Sequence, residues 1–139
     1  MPDDSSIDAQ KQEEADASLR PGDALPFFDV ATVDGSHVAY TRFWQQRNVV
    51  LVRLSSGKSD SERALVSVLS SHAVDFDALQ AVCVVTCDAV PGVPRPGVVI
   101  ADRWGEVQSV AAGLPEPQDL LDTLEYLQHK CPECEGESR

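Results

Sequence analysis

The side chains best equipped for chemistry in this chain are its four cysteines, at positions 83, 87, 131 and 134. Cys131-Pro132-Glu133-Cys134 is the most distinctive local motif. Two sulfurs so close in sequence either chelate a metal ion or close a small disulfide. A structural zinc site takes four ligands, and this stretch offers two, with His129 as a third. The missing ligands would come from a second subunit, which would make zinc a clip in a homodimer. Glu133, Glu135 and Glu137 oppose thiolate formation, with only Lys130 and His129 against them. Metal half-site, redox pair and idle surface pair all stay open for Cys131 and Cys134.

Cys83 and Cys87 lie in and at the end of a β-branched run. Four strand steps separate them by about 13 Å, beyond disulfide reach. Cys83 reads as a small core hydrophobe. Cys87 ends the run, so its sulfur emerges at the sheet edge where open α/β sheets place ligands. It is either a relocated thiol or a partly buried bystander.

Ser59-Asp60-Ser61-Glu62 reads as a capping box, with the Ser59 hydroxyl on a free amide and Glu62 reaching back. Arg53 interrupts an apolar strand and needs an acidic partner, Glu62 or Asp88, or else a small anion. His37 and His72 form no ligand set with any visible carboxylate, and Asp102 belongs to a turn. No Gly-rich phosphate loop, paired-carboxylate site or dinucleotide fingerprint is present.

Elements that position these residues are legible in outline. A length of 139 residues, 42% of them apolar, supports one domain with a single core. Residues 1–18 read as a mobile acidic tail: Asp3, Asp4, Asp8, Glu13, Glu14 and Asp16 accompany Ile7 as the only aliphatic beyond Ala. Residues 19–130 form the domain and 131–139 a charged tail. Within the domain, 27–32 and 37–40 make a hairpin around Asp34-Gly35. Residues 49–54 and 81–86 are strands buried on both faces. Between them runs a helix with Leu65, Val68, Leu69 and His72 on one stripe. A Pro-rich connection, 87–96, leads to a strand at 98–101. Asp102 to Gly105 turn the chain into 106–111, and a last helix spans 117–129 with Leu120, Leu124 and Leu127 inward. Strand–helix–strand implies a parallel pair and the tight turn an antiparallel one. The fold class is therefore α/β, a mixed sheet with a helix on each face.

Charge narrows the partners. Eleven Lys and Arg stand against 23 Asp and Glu, a net charge of −12, and nucleic-acid backbones and anionic membranes are bound through Lys and Arg. No apolar run approaches the ~18 residues of a membrane span. The first 20 residues lack the apolar stretch of a secretory signal, so a cytoplasmic location is expected, with cysteines mostly reduced.

Leu19-Arg20-Pro21-Gly22-Asp23-Ala24-Leu25-Pro26-Phe27-Phe28 resembles the opening segment of redoxins, which reads Gly-Asp-x-Ala-Pro-x-Phe. Val33-Asp34-Gly35 with Val38 and Phe43 is similar to their hairpin before the central strand. Pro96-Gly97-Val98-Val99-Ile100-Ala101-Asp102-Arg103-Trp104-Gly105 resembles the stretch from their cis-proline to an Asp-x-x-Gly turn. Over 19–130 the chain thus resembles the redoxin, peroxiredoxin-like branch (alkyl hydroperoxide reductase and thiol-specific antioxidant family) of the thioredoxin-like fold, a three-layer sandwich. The resemblance implies active-site positions at Ser59, Glu62 and Pro96, with Arg95 beside them, and a nucleophilic cysteine where this chain has Ser59. A helix N-terminus lowers a thiol pKa, but a serine hydroxyl is far harder to ionise and no Ser–His pair activates it.

Together these residues imply a redoxin-type binding or assembly module without peroxidase chemistry at the usual site. The alternatives are an oxidoreductase or antioxidant working through Cys131 and Cys134, with Cys87, and a small metal-binding dimer. The partner would be an unidentified protein or thiol. No cofactor is expected apart from zinc at the tail.

Overall fold

The computed structural model describes residues 18–129. The two tails, with Lys130, Cys131 and Cys134, lie outside the described residues. The elements run β1 (Asp29–Ala31), β2 (His37–Ala39), a 3-10 turn (Tyr40–Arg42), β3 (Asn48–Arg53), α1 (Asp60–Ser71), α2 (Ala73–Ala78), β4 (Ala81–Thr86), β5 (Gly97–Ala101), β6 (Val107–Ala112) and α3 (Pro117–His129). Helix α2 is the element that sequence reasoning missed. It is six residues long and no side chain caps its start, so nothing local separates it from the end of α1.

β-branched residues dominate β3 and β4, and the two strands pair in parallel from Asn48↔Ala81 to Arg53↔Thr86. Helices α1 and α2 make the crossover, as a parallel pair requires. On its other side β3 pairs antiparallel with β5, and β5 with β6, giving the order β4-β3-β5-β6. Strands β1 and β2 form a separate antiparallel hairpin. The mixed α/β sheet expected from the sequence is present.

Alternation along the strands builds two cores. Val50, Val52 and Ile100 face Leu65, Leu69, Phe76, Leu120, Leu124 and Leu127, so all three described helices share one face. Val49, Leu51 and Val99 face Phe28, Val30, Tyr40, Val90 and Val93. The hairpin, the 3-10 turn and the Pro-rich connection cover that second face, which corrects the expectation of a helix on each side. Their apolar residues bury the sheet equally well, and no helical period is needed for that.

The stripe on α1 is also rotated. Leu65 and Leu69 are buried, Val66 packs partly under them, and Val68 is 41% exposed. At about 100° per residue, the buried Glu62 belongs to the same inward face as Leu65 and Leu69, which turns Val68 outward.

Buried polar groups pin the layers. The Asn48 amide donates to the Leu79 carbonyl at 3.3 Å and to Gln128 Oε1 at 3.2 Å, which ties the end of α3 to the start of β3. Thr86 has no exposed surface; its Oγ1 donates to the Ala31 carbonyl at 2.6 Å and accepts from the Asp88 N–H at 2.9 Å. Thr86→Val keeps the shape and strands both partners, so a loss of about 2 kcal/mol is expected in urea unfolding.

Candidate functional site

Parallel strands deliver their carboxyl ends to one edge of a sheet, so β3 and β4 bring the segments after Arg53 and Thr86 together. Leu54 N–H continues the ladder onto the Thr86 carbonyl at 2.8 Å. The chain then loops through Ser55, Ser56, Gly57 and Lys58 into α1. Gly57 has φ +74°, a conformation open to glycine at no steric cost. Ser59 caps the helix as expected: its hydroxyl accepts from the Glu62 N–H at 3.1 Å.

Glu62 departs from the capping-box expectation. Its carboxylate does not stop at the cap residue but passes it to the loop. Oε2 accepts from Ser55 N–H at 2.7 Å, and Oε1 from Gly57 N–H at 2.8 Å and Ser56 N–H at 3.4 Å. The Ser56 hydroxyl adds a further contact at 3.4 Å. The side chain is 4% exposed. Burial by itself would raise its pKa; the N–H groups of Ser55, Gly57 and Ser56 outweigh it and hold the carboxyl below its ordinary value.

The loop before β5 closes over this turn. Arg95 Nη2 and Nε donate to the Ser55 carbonyl at 2.8 and 3.2 Å, and the Arg95–Pro96 peptide bond is cis. Ser59, Glu62, Arg95 and Pro96 thus belong to one edge, the edge on which the sequence placed them.

Cys87 reaches the same loop. A Cβ built on Gly57 would lie 3.1 Å from its sulfur. Burial, then the charges of Glu62 and Asp88, raise the Cys87 thiol pKa, and Arg95 opposes them only in part. The thiol is free and protonated at neutral pH. Cys83 is also free, on the helix side of β4, and burial pushes its thiol up to about 12. Neither is a thiolate.

Arg53 corrects another expectation. It meets neither Glu62 nor Asp88. Its Nη1 donates to the Val93 carbonyl at 2.8 Å, and its buried Nε has no partner among the described residues. Both acids are engaged by backbone, Glu62 in the loop and Asp88 on the Ala31 N–H at 2.8 Å. Each of the two histidines meets one carboxylate: His37 pairs with Asp29 and His72 with Asp75, both at 2.8 Å. The first pair spans the β1–β2 hairpin and the second is local, three residues apart; no cluster of three metal-ligating side chains occurs among the described residues. No helix among them is long and apolar enough to cross a membrane.

Sequence reasoning missed the latch formed by Arg95 on Ser55 and the reach of Glu62. The available signals were the cationic residue immediately before Pro96 and the run Ser55-Ser56-Gly57, three free amides in a row within range of one acid.

No protein-family model matches the chain, and no curated protein sequence is significantly similar to it. Solved structures are similar. The reduced 2-Cys peroxiredoxin of Plasmodium vivax superposes with a TM-score of 0.66 at 14% identity, covering 80% of this chain and 83% of that one. Yeast mitochondrial 1-Cys peroxiredoxin gives a TM-score of 0.67 at 12% identity, with 79% and 76% covered. Mycobacterium tuberculosis AhpC gives 0.63 at 12%, with 84% and 98% covered. By its topology and these superpositions, the chain has the thioredoxin-like α/β fold in the form that peroxiredoxins share.

Proposed function

We propose that this protein is a redoxin-type binding or assembly module that holds a partner segment on the face around Ser59, Arg95 and Pro96, with no thiol chemistry there. One observation carries the reading: the Glu62 carboxylate occupies the N–H groups of Ser55, Ser56 and Gly57. Backbone amides clustered in a turn before a helix stabilise an anion, whether an attacking thiolate or a developing negative charge. Here the protein's own carboxylate takes that place. The Ser59 hydroxyl is committed to the cap, and the nearby Cys87 thiol is held protonated. The compartment in this reading is the reducing cytosol, where the cysteines stay thiols.

Peroxide consumption and dithiol-driven disulfide reduction by the full chain test this. The expected result is no turnover above that of free thiol, unchanged in Cys131→Ser, together with free tail thiols and no bound metal in freshly purified protein. Turnover abolished by Cys131→Ser or Cys134→Ser would overturn it in favour of an oxidoreductase acting through the tail. Zinc retained by the wild type and lost from those variants would point to the metal-clipped homodimer.

A further inference from the structure

Arg53 and Arg95 clasp the loop before β5 from opposite sides. Arg53 donates to the Val93 carbonyl of that loop, and Arg95 reaches from it to the Ser55 carbonyl. Neither guanidinium meets a carboxylate; among the described lysines and arginines only Arg47 does, with Asp77 at 3.0 Å. Arg53 is half-buried, gives one N–H to a neutral carbonyl, and keeps a buried Nε without a partner among the described residues. A guanidinium offers five N–H donors, and a charge drawn out of water needs a counter-charge to offset its lost hydration. The acids around it do not supply one. Glu62 is turned onto the Ser55 and Gly57 amides, Asp88 onto Ala31 N–H and Asp23 onto Arg20 N–H.

The chain enters the fold beside this pair. Leu19 N–H donates to the Gly92 carbonyl at 3.0 Å, and Gly92 directly precedes Val93, whose carbonyl takes Arg53. Leu19 packs on the same core as Val90 and Val93. Residues 1–17 are therefore tethered next to the Arg53 contact. They carry Asp3, Asp4, Asp8, Glu13, Glu14 and Asp16 against Lys11 alone. At about 3.4 Å per residue, Asp16 has a reach of about 10 Å from Leu19 and Glu13 about 20 Å.

We propose that the stretch Glu13-Glu14-Ala15-Asp16 of this same chain docks on Arg53 and Arg95, supplies their missing counter-charge and covers the Arg95–Pro96 face. A short tether holds its carboxylates at millimolar effective concentration, which suffices for contacts that are individually weak. The consequence rests on the binding reading above: the acidic stretch competes with the partner segment, so the module is closed by its own chain until a partner displaces it. The other acidic stretch, Glu133 to Glu137, fits less well. It continues from α3, whose Gln128 bonds Asn48 at the opposite end of β3, about 17 Å from Arg53.

The test compares amide and guanidinium NMR signals of the full chain with those of a full chain carrying Glu13→Gln, Glu14→Gln and Asp16→Asn together. All three positions lie outside residues 18–129. The expected result is a shift of the Arg53 and Arg95 Nε–H signals and of the Val93 and Arg95 amides, with Arg42 and Arg103 unmoved. An acetylated, amidated Glu-Glu-Ala-Asp-Ala peptide should reverse the shift saturably on the neutralised chain and bind the wild type about threefold more weakly. Unmoved Arg53 and Arg95 signals would overturn the inference. So would an equal shift at Arg42 and Arg103, which is general attraction between opposite charges. The same shift produced by Glu133→Gln, Glu135→Gln and Glu137→Gln overturns it in favour of the other tail. A shift that grows with protein concentration overturns it in favour of a second copy's tail. No partner is present in this measurement, so its failure leaves the binding reading standing, whereas thiol turnover would sink that reading and leave the docking untouched.

Discussion

Glu62→Gln is expected to destabilise the protein by about 3 kcal/mol at pH 7, read from urea unfolding. An amide of the same shape keeps one acceptor but turns an NH2 towards loop N–H groups that need acceptors. The 4% exposure of this side chain keeps water from substituting. Hydrogen bonds to a charged group contribute more than neutral ones, about 1.5–3 kcal/mol, and Ser55 and Gly57 both donate at under 3 Å. The pH dependence has a definite sign. The folded carboxyl titrates below its ordinary value of 4.5, so its contribution is fully present above that value. It is lost as pH falls through the lower, folded pKa. The gap between wild type and Gln variant should therefore be widest at neutral pH and shrink in acid. Removing the carboxylate should also lower the Cys87 thiol pKa, since Glu62 is one of the charges that raise it. An unchanged unfolding midpoint with a parallel acid limb would remove Glu62 from the centre of the site.

Gly97→Ala tests the other wall of the same edge. A Cβ at Gly97 would lie 2.6 Å from Pro94 Cβ, 2.8 Å from the Pro94 carbonyl oxygen and 2.9 Å from that of Ala111. Two of these neighbours are backbone. The Ala111 oxygen belongs to β6, which is hydrogen-bonded to β5, so neither side yields without breaking ladder bonds or displacing the loop that carries Arg95. Two effects oppose each other. Alanine restricts the unfolded chain and by itself stabilises by about 0.4–1 kcal/mol. Overpacking a closed site costs about 1–3 kcal/mol, and distances this short put the cost at the upper end. A net loss of about 2 kcal/mol is expected in thermal or urea unfolding, with weaker binding at the Pro96 face. A stabilised variant would mean that the Pro94 loop moves freely.

Much of the site was legible because its determinants are local. Ser59 announced itself as a cap through the Ser-x-x-Glu spacing, and the hydroxyl to N–H bond formed as the spacing requires. The bounds of β4 and α3 followed from apolar period and from Pro117 at the first helical turn. Cys87 was placed correctly at the end of β4, beside the Ser59 loop. The errors arose where two or more segments compete for one group. Arg53 has acids within a few residues of its neighbours, yet finds the Val93 carbonyl, forty positions away. Glu62 satisfies three loop amides instead of one cap amide because the loop folds back over its buried face. Val68 fits the helical stripe by spacing and is turned out by that same burial of Glu62.

The amino-acid order alone determined the sequence of elements apart from α2, the mixed sense of the sheet and the presence of an alcohol, rather than a thiol, at the start of α1. Each depends on period, capping or residue identity within a few positions. Which face the helices cover, which partner Arg53 and Glu62 take, and that β4 is left as an outer strand were decided only in three dimensions. Those outcomes depend on segments far apart in the chain competing for the same buried donors, acceptors and surface, and no local pattern records who wins.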